Sequence, residues 1–221
     1  MKKKELTLIA LKTSARNFIP EFSKINILEL YGVTDGKAVG TYVEHGFHKY
    51  LMERCAYEVG SSASGVDFPR LKVDLKVTSL KQPQSSCPFR DAGQKVYGLG
   101  YHLILFVYAK VDDHKKHASR LNCKHALFIA QERTADYQTT YGIRQILKRN
   151  GNKDDLVAFL EERNLPLDEL GRESLAKEIL NKPPKLGCLT VSNALQWRLQ
   201  HSRAIAFSEK DSSNGIENLL R

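Results

Sequence analysis

Between Leu71 and Thr78 apolar and polar residues alternate without interruption. Leu71, Val73, Leu75 and Val77 fall on one side, and Lys72, Asp74, Lys76 and Thr78 on the other. A period of two is that of an extended strand, so Asp74 and Lys76 are neighbours on one polar face. Lys37 to Glu58 carries the helical period instead, with Val39, Val43, Phe47, Tyr50 and Leu51 on its apolar stripe. Glu44 and His48 stack four residues apart on a more polar side of that helix. His102 to Lys110 is continuously apolar and predicts a buried central strand, and Ala126 to Gln131 a further short strand.

The segments between are less regular. A helix is expected within Asn17–Tyr31 with a break at Pro20, and Gly32 to Gly36 reads as a loop. Pro83 and Pro88 predict an irregular loop over Ser79–Arg90. Asp91 to Tyr101 suggests a short helix, Val111 to Lys124 a charged connection, and Glu132 to Tyr141 a polar loop before a helix over Gly142–Arg149.

From Asn152 the pattern is helical. Asp154 and Asp155 suit a first turn, and Leu156, Val157 and Leu160 form the stripe of a helix ended by Asn164-Leu165-Pro166. A second helix is expected from Leu167 to Leu180. A third, capped by Ser192, would bury Ala194, Leu195 and Leu199 and turn Asn193, Gln196 and Gln200 outward. Arg203 to Phe207 reads as a last strand and the chain from Ser208 as a polar tail. The expected class is α/β, a mixed central β-sheet flanked by helices, with residues 1–150 as the core and 151–221 as a helical C-terminal subdomain packed on it. Those C-terminal helices admit two readings, a DNA-recognition element of helix-turn-helix type or a plain helical cap.

Composition narrows the partners. The 221 residues are 42% hydrophobic, enough for a packed core, and 34 Lys and Arg against 25 Asp and Glu give a formal net charge of +9. That excess favours a polyanion such as nucleic acid. Cys55, Cys87, Cys123 and Cys188 show no metal-type pairing, and the seven histidines form no His-x-x-x-His pair, which argues against a zinc enzyme. The longest apolar run, Leu103 to Ala109, is far short of the roughly 20 residues of a membrane span. Met1-Lys2-Lys3-Lys4 opens like a signal sequence, but Glu5 and Lys12 end that pattern, so reduced thiols in the cytoplasm are expected.

The chemistry gathers at the alternating strand. Asp67 lies seven residues before Asp74, behind a Phe68-Pro69-Arg70 turn that can fold it back. Two converging carboxylates make a hard-oxygen site suited to Mg²⁺, and an adjacent ammonium suits an anionic substrate. The plainer reading is an exposed edge strand on which Asp74 and Lys76 pair, with Glu44 solvated. Lys81, Gln82, Gln84, Ser85 and Arg90 follow the strand, with Gln94, Arg133, Asn193 and Gln196 further on. Such side chains reach phosphates or base edges, or simply keep surface loops hydrated.

The order of a helix bearing Glu44, then Asp67, then Asp74-Leu75-Lys76 on a strand resembles the PD-(D/E)xK nuclease superfamily. Type II restriction endonucleases are its nearest members in size, and the resemblance covers residues 37–110. Two positions depart from the pattern: Val66 stands where a proline is common, and Asp74 where Glu is commoner. The resemblance implies a restriction-endonuclease-like core in which Asp67 and Asp74 hold Mg²⁺, with the Val73 or Leu75 carbonyl as a further ligand. Lys76 would orient or help deprotonate the attacking water, and Glu44 would act as an outer or second-metal carboxylate. It further implies sequence-specific cleavage of double-stranded DNA to 5′-phosphates, a homodimer, a cognate DNA methyltransferase and a prokaryotic cytoplasmic setting. A repair or nicking endonuclease of the same fold, and a non-catalytic DNA-binding protein, are the alternatives.

Overall fold

The alternating strand lies between two buried layers. The computed structural model describes residues 3–60, 65–88, 90–192, 197–210 and 214–221. The chain opens with β1 (Lys4–Glu5), α1 (Leu8–Phe22) and α2 (Gly36–Arg54), then β2 (Cys55–Ala56), which pairs in parallel with β1. There follow β3 (Val73–Ser79), β4 (Gln84–Cys87), the single-turn α3 (Gln94–Tyr97), β5 (His102–Asp113) and β6 (Ala118–Ile129). The remainder comprises α4 (Tyr137–Lys148), α5 (Lys153–Glu162), α6 (Glu169–Asn181), β7 (Thr190–Val191), β8 (Trp197–Gln200), α7 (Ser202–Lys210) and β9 (Ile216–Asn218).

The main sheet has the order β3-β5-β6-β9, with β3 parallel to β5 and the other pairs antiparallel. A second, antiparallel sheet has the order β4-β8-β7. This is the expected mixed α/β class. Val73 and Leu75 face a core built with α1 and α2, where the Phe47 ring lies 5.1 Å from Phe18 and 5.3 Å from Phe106. On the opposite face Leu103, Leu105, Val107 and Leu127 pack against Cys87 and Leu199 of the second sheet. A third cluster joins α3 to α4, α5 and α6. Polar side chains start the helices as local rules require: Thr7, Asp35, Asp136 and Asp168 accept from first-turn N–H groups, and Asn152 with Asp155 forms a capping box.

Several expectations give way. The first helix begins at Leu8, not within Asn17–Tyr31. It runs through Pro20, which sits in the last turn and forfeits one backbone hydrogen bond, and Phe22 beyond it stacks on Phe18 at 4.9 Å. Val111–Lys124 is no connection but the outer part of a hairpin of two twelve-residue strands, whose charged side chains ride on a ladder paired as far as Asp113↔Ala118. Pro83 and Pro88 bracket the strand β4 and do not forbid it, since neither has to donate to its ladder. The polar loop ends early, α4 starting at Tyr137 behind its Asp136 cap.

The C-terminal part departs furthest from an all-helical portion. Residues 197–200, expected within a Ser192-capped helix, form β8 between β4 and β7, and Leu199 is buried there. Arg203–Phe207, expected as a strand, lies in helix α7, which buries Ala204, Ile205 and Ser208 at helical spacing. The polar tail returns to the main sheet as β9. There Lys12 Nζ meets Glu217 at 2.8 Å, Arg16 Nε donates to the Leu219 carbonyl at 3.0 Å, and Leu219 enters the core.

Gly98, after α3, has φ +93°, and a Cβ built there would lie 2.4 Å from the Gln131 carbonyl and 2.7 Å from Thr134 Oγ1. Gly100 also has positive φ, at +88°, but open space around it. Gly98→Ala should therefore destabilise the chain by about 1–3 kcal/mol in urea unfolding, and by more than Gly100→Ala, which carries backbone strain alone.

Candidate active site

The site starts with a tight reversal. Pro69–Leu71 forms a 3-10 turn, Lys72 takes a left-handed conformation (φ 51°), and the Phe68 N–H donates to the Val73 carbonyl at 2.9 Å. This folds Asp67 back along β3, where its Oδ2 accepts from the Leu75 N–H at 2.7 Å. The Asp67 and Asp74 carboxylates then come within hydrogen-bonding reach of each other. Phe68 is buried beneath the turn, its ring stacked on His48 at 5.2 Å and tilted against Tyr57 at 5.6 Å.

Lys76 Nζ lies 2.7 Å from Asp74 Oδ2. Helix α2 approaches β3 closely at Gly40, where a Cβ would sit 3.5 Å from the Val77 carbonyl. One turn later Glu44 comes within the electrostatic range of Asp67 and Lys76. The four residues expected to carry chemistry, Glu44, Asp67, Asp74 and Lys76, are thus one cluster, and the polar side of β3 is no solvated face: Asp74 is only 4% exposed.

Burial governs the electrostatics. It is the largest cause that pushes Asp74 up to about 7; Lys76 pulls the other way, and the hydrogen bond and charge of Asp67 add to the rise. Burial by itself would lower Lys76, but the carboxylates of Asp74, Asp67 and Glu44 outweigh it and hold the amine above its ordinary value, as an ammonium. Glu44 is raised by burial and then by Asp67, against Lys76 and His45.

The remaining candidates divide by what already holds them. Lys81, Gln82 and Arg90 are exposed, and Gln84 is half-buried. The Gln84 backbone exchanges hydrogen bonds with Thr78 Oγ1 at 2.9 and 3.0 Å, tying β4 to β3. The Arg90 guanidinium carbon lies 5.9 Å from the Tyr101 ring centre. Ser85 Oγ is bound to the buried His201 Nε2 at 2.8 Å. Gln94 is buried and spans the Arg90 N–H and the Leu99 carbonyl, while Arg133, also buried, donates to the carbonyls of Leu186 and Asn214. Asn193 and Gln196 lie outside the described residues.

His48, Tyr57, Tyr101 and His201 also surround the site, and the sequence pattern did not single them out for it. His48 alone left a signal, four residues after Glu44 on the same helix. Tyr57 Oη lies 3.2 Å from the His48 carbonyl and 2.9 Å from His48 Nδ1, so the phenol is tied to His48 through both backbone and ring. Burial keeps both neutral, lowering His48 and pushing Tyr57 up to about 12. His201 is pulled down to about 3 by burial and then by Lys76.

Among the described residues no three His, Cys, Asp or Glu side chains converge as a metal-holding group. The available donors are the two carboxylates and the carbonyls of β3, of which Val73's already accepts from Phe68. Asp74 Oδ2, buried and without a hydrogen bond among the described residues despite the nearby ammonium, is a donor oxygen open to a cation. No helix among the described residues is long and apolar enough to cross a membrane.

Comparison with known proteins supplies the family. The family profile described as type II restriction enzyme NspV matches residues 5–218. A curated protein of Nostoc sp. (strain ATCC 29411 / PCC 7524), named type II restriction enzyme NspV, is 56% identical over 200 residues, covering 90% of this chain and 91% of that protein. No solved structure matches. By class, then, the chain is a type II restriction enzyme, a site-specific deoxyribonuclease. Within that class it belongs to the NspV family.

The raised Asp74 sets a pH dependence. From the ordinary 3.8 up to about 7 the folded chain keeps a proton that the unfolded chain has released, so this contribution to stability is lost as pH rises through that window. Melting temperatures of the metal-free protein across it should show a downward trend with pH that Asp74→Asn flattens.

Proposed function

We propose that the chain hydrolyses both strands of DNA at a specific sequence in a Mg²⁺-dependent reaction that leaves 5′-phosphates, through a PD-(D/E)xK site on a restriction-endonuclease-like core. The observation that carries this reading is the meeting of Asp67 and Asp74 beside Lys76. Two carboxylates and few other donors suit Mg²⁺, which keeps several waters and takes its remaining ligands from substrate phosphate. Asp67, Asp74 and the Leu75 carbonyl would hold the ion, with Glu44 as an outer carboxylate. When bound, the cation supplies Lewis-acid polarisation and charge neutralisation at the phosphodiester.

The other roles belong to the chain itself. Lys76, kept as an ammonium by its carboxylate neighbours, acts as a hydrogen-bond donor that orients the attacking water and offsets charge on the phosphorane. Its charged state favours that role over proton abstraction. Asp67 is held rigid by the Leu75 N–H, so the site is preorganised.

DNA would be gripped by the exposed Lys81, Gln82 and Arg90 and by Gln84, with Asn193 and Gln196 on the segment before β8. Gln94 and Arg133 are spent on interior hydrogen bonds, Gln94 holding the Arg90 backbone N–H, and neither is free to reach DNA. Residues 1–150 would carry the chemistry, and 151–221 would close the site and contribute to recognition. A two-fold homodimer matches a palindromic site, and a cognate methyltransferase would protect host DNA in a prokaryotic cytoplasm.

Plasmid DNA should give discrete linear fragments with Mg²⁺ and none with EDTA. Asp74→Ala should abolish cleavage, and Lys76→Ala should slow it about 10²–10³-fold while binding to the same DNA in Ca²⁺ persists. Nicked circles would point instead to a nicking or repair enzyme, and full activity in Asp74→Ala would remove the site from consideration.

A further inference from the structure

Two polar atoms on the same side of the β3–β5 pair have hydrogen-bonding capacity that the chain alone leaves unused. Asp74 Oδ2 is one. Tyr101 Oη is the other: the residue is 3% exposed, and its hydroxyl has no hydrogen-bond partner among the described residues. The first is an acceptor and the second a donor. A buried polar group left unpaired costs roughly 1–3 kcal/mol, so such groups in a folded chain call for an explanation.

Strand register places them together. In the parallel β3–β5 pair Asp74 stands opposite Leu103, and Tyr101 lies two residues before Leu103 in the same apolar cluster, hence on the same face. Asp74 and Tyr101 are therefore diagonal neighbours, a separation that an aromatic side chain spans. Asp74 is the first of the charges acting on the phenol, and a tyrosine hydroxyl carries a proton to donate near neutral pH.

We propose that Tyr101 is a positioning residue for Asp74, its hydroxyl donating to one carboxylate oxygen when the other is committed to a divalent cation. This rests on the reading of Asp67 and Asp74 as metal ligands. It extends that reading by naming the group that fixes the Asp74 carboxylate once the cation competes with Lys76 for it. Ligating carboxylates are commonly held in this way from behind, and loss of the outer hydrogen bond weakens metal binding about 10–100-fold.

The test compares the wild-type chain, Tyr101→Phe and Asp74→Asn. It reads Mn²⁺ binding by electron paramagnetic resonance without DNA, melting of the metal-free proteins, and the Mg²⁺ requirement of single-turnover cleavage. Tyr101→Phe should melt no lower than wild type, because only an unpaired hydroxyl is removed. It should bind Mn²⁺ at least about tenfold more weakly and need correspondingly more Mg²⁺ for half-maximal cleavage. Unchanged Mn²⁺ affinity in Tyr101→Phe, with affinity lost in Asp74→Asn, overturns the role of Tyr101 and leaves the metal site standing. Weaker binding accompanied by lower metal-free melting overturns it too, by making the hydroxyl structural. Equal Mn²⁺ binding by wild type and Asp74→Asn removes the metal site itself, and the inference with it.

Discussion

The hydrogen bond from the Leu75 N–H to Asp67 Oδ2 is the constraint on which the site depends. It ties a side chain from one segment to the backbone of the strand that carries Asp74 and Lys76. The Phe68–Val73 backbone bonds already fix the turn on β3, and this bond fixes the direction of the Asp67 side chain. The features around it serve the same end: the 3-10 turn and the left-handed Lys72 reverse the chain, and Phe68 anchors the reversal under His48 and Tyr57. A carboxylate held in this way gives up little further freedom when a ligand arrives, which is where preorganised sites gain over flexible ones.

The second constraint is burial. A carboxylate at 4% exposure cannot ionise as freely as one in water, and an ammonium 2.7 Å away offsets only part of that cost. The chain alone therefore holds Asp74 in a state that favours a proton, with one oxygen lacking a hydrogen bond. Such an arrangement is poor as a stabilising ion pair and good as a place to receive a cation. The same low-polarity surroundings strengthen every charge–charge interaction once the cation is present.

How much of this was legible in the sequence follows from the range of the interactions concerned. The alternation of β3, the helix over α2, the buried β5 and the return of Asp67 behind Phe-Pro-Arg are local, and each was readable from spacing. The close fit of Glu44 was half readable: its helix face was evident, but the approach through Gly40 needed the packing. Tyr101 was silent, because its place beside Asp74 follows from a parallel register between segments separated by β4 and α3. The C-terminal strands misled for a related reason. Residues 197–200 do alternate, as Trp-Arg-Leu-Gln, but a run of four also fits the helical spacing of Leu195 and Leu199, and it becomes a strand because β4 and β7 offer it edges.

Those C-terminal strands also settle why the site is an enclosed one. An edge strand with Asp, Lys and Thr on one side would ordinarily turn that side to water. Here Thr78 binds β4 across the gap, β4 pairs with β8, and His201, just beyond β8, donates its backbone N–H to the Pro83 carbonyl and bonds Ser85 through its ring. Residues separated by more than a hundred positions thus roof the polar face of β3. The roof is neutral where it must be, since burial and the Lys76 charge both keep His201 unprotonated. A charged imidazolium there would compete with Lys76 for the carboxylates. A neutral one completes the enclosure and leaves the ammonium as the cation facing Asp74, so the C-terminal segment shapes the chemistry of a motif it does not contain.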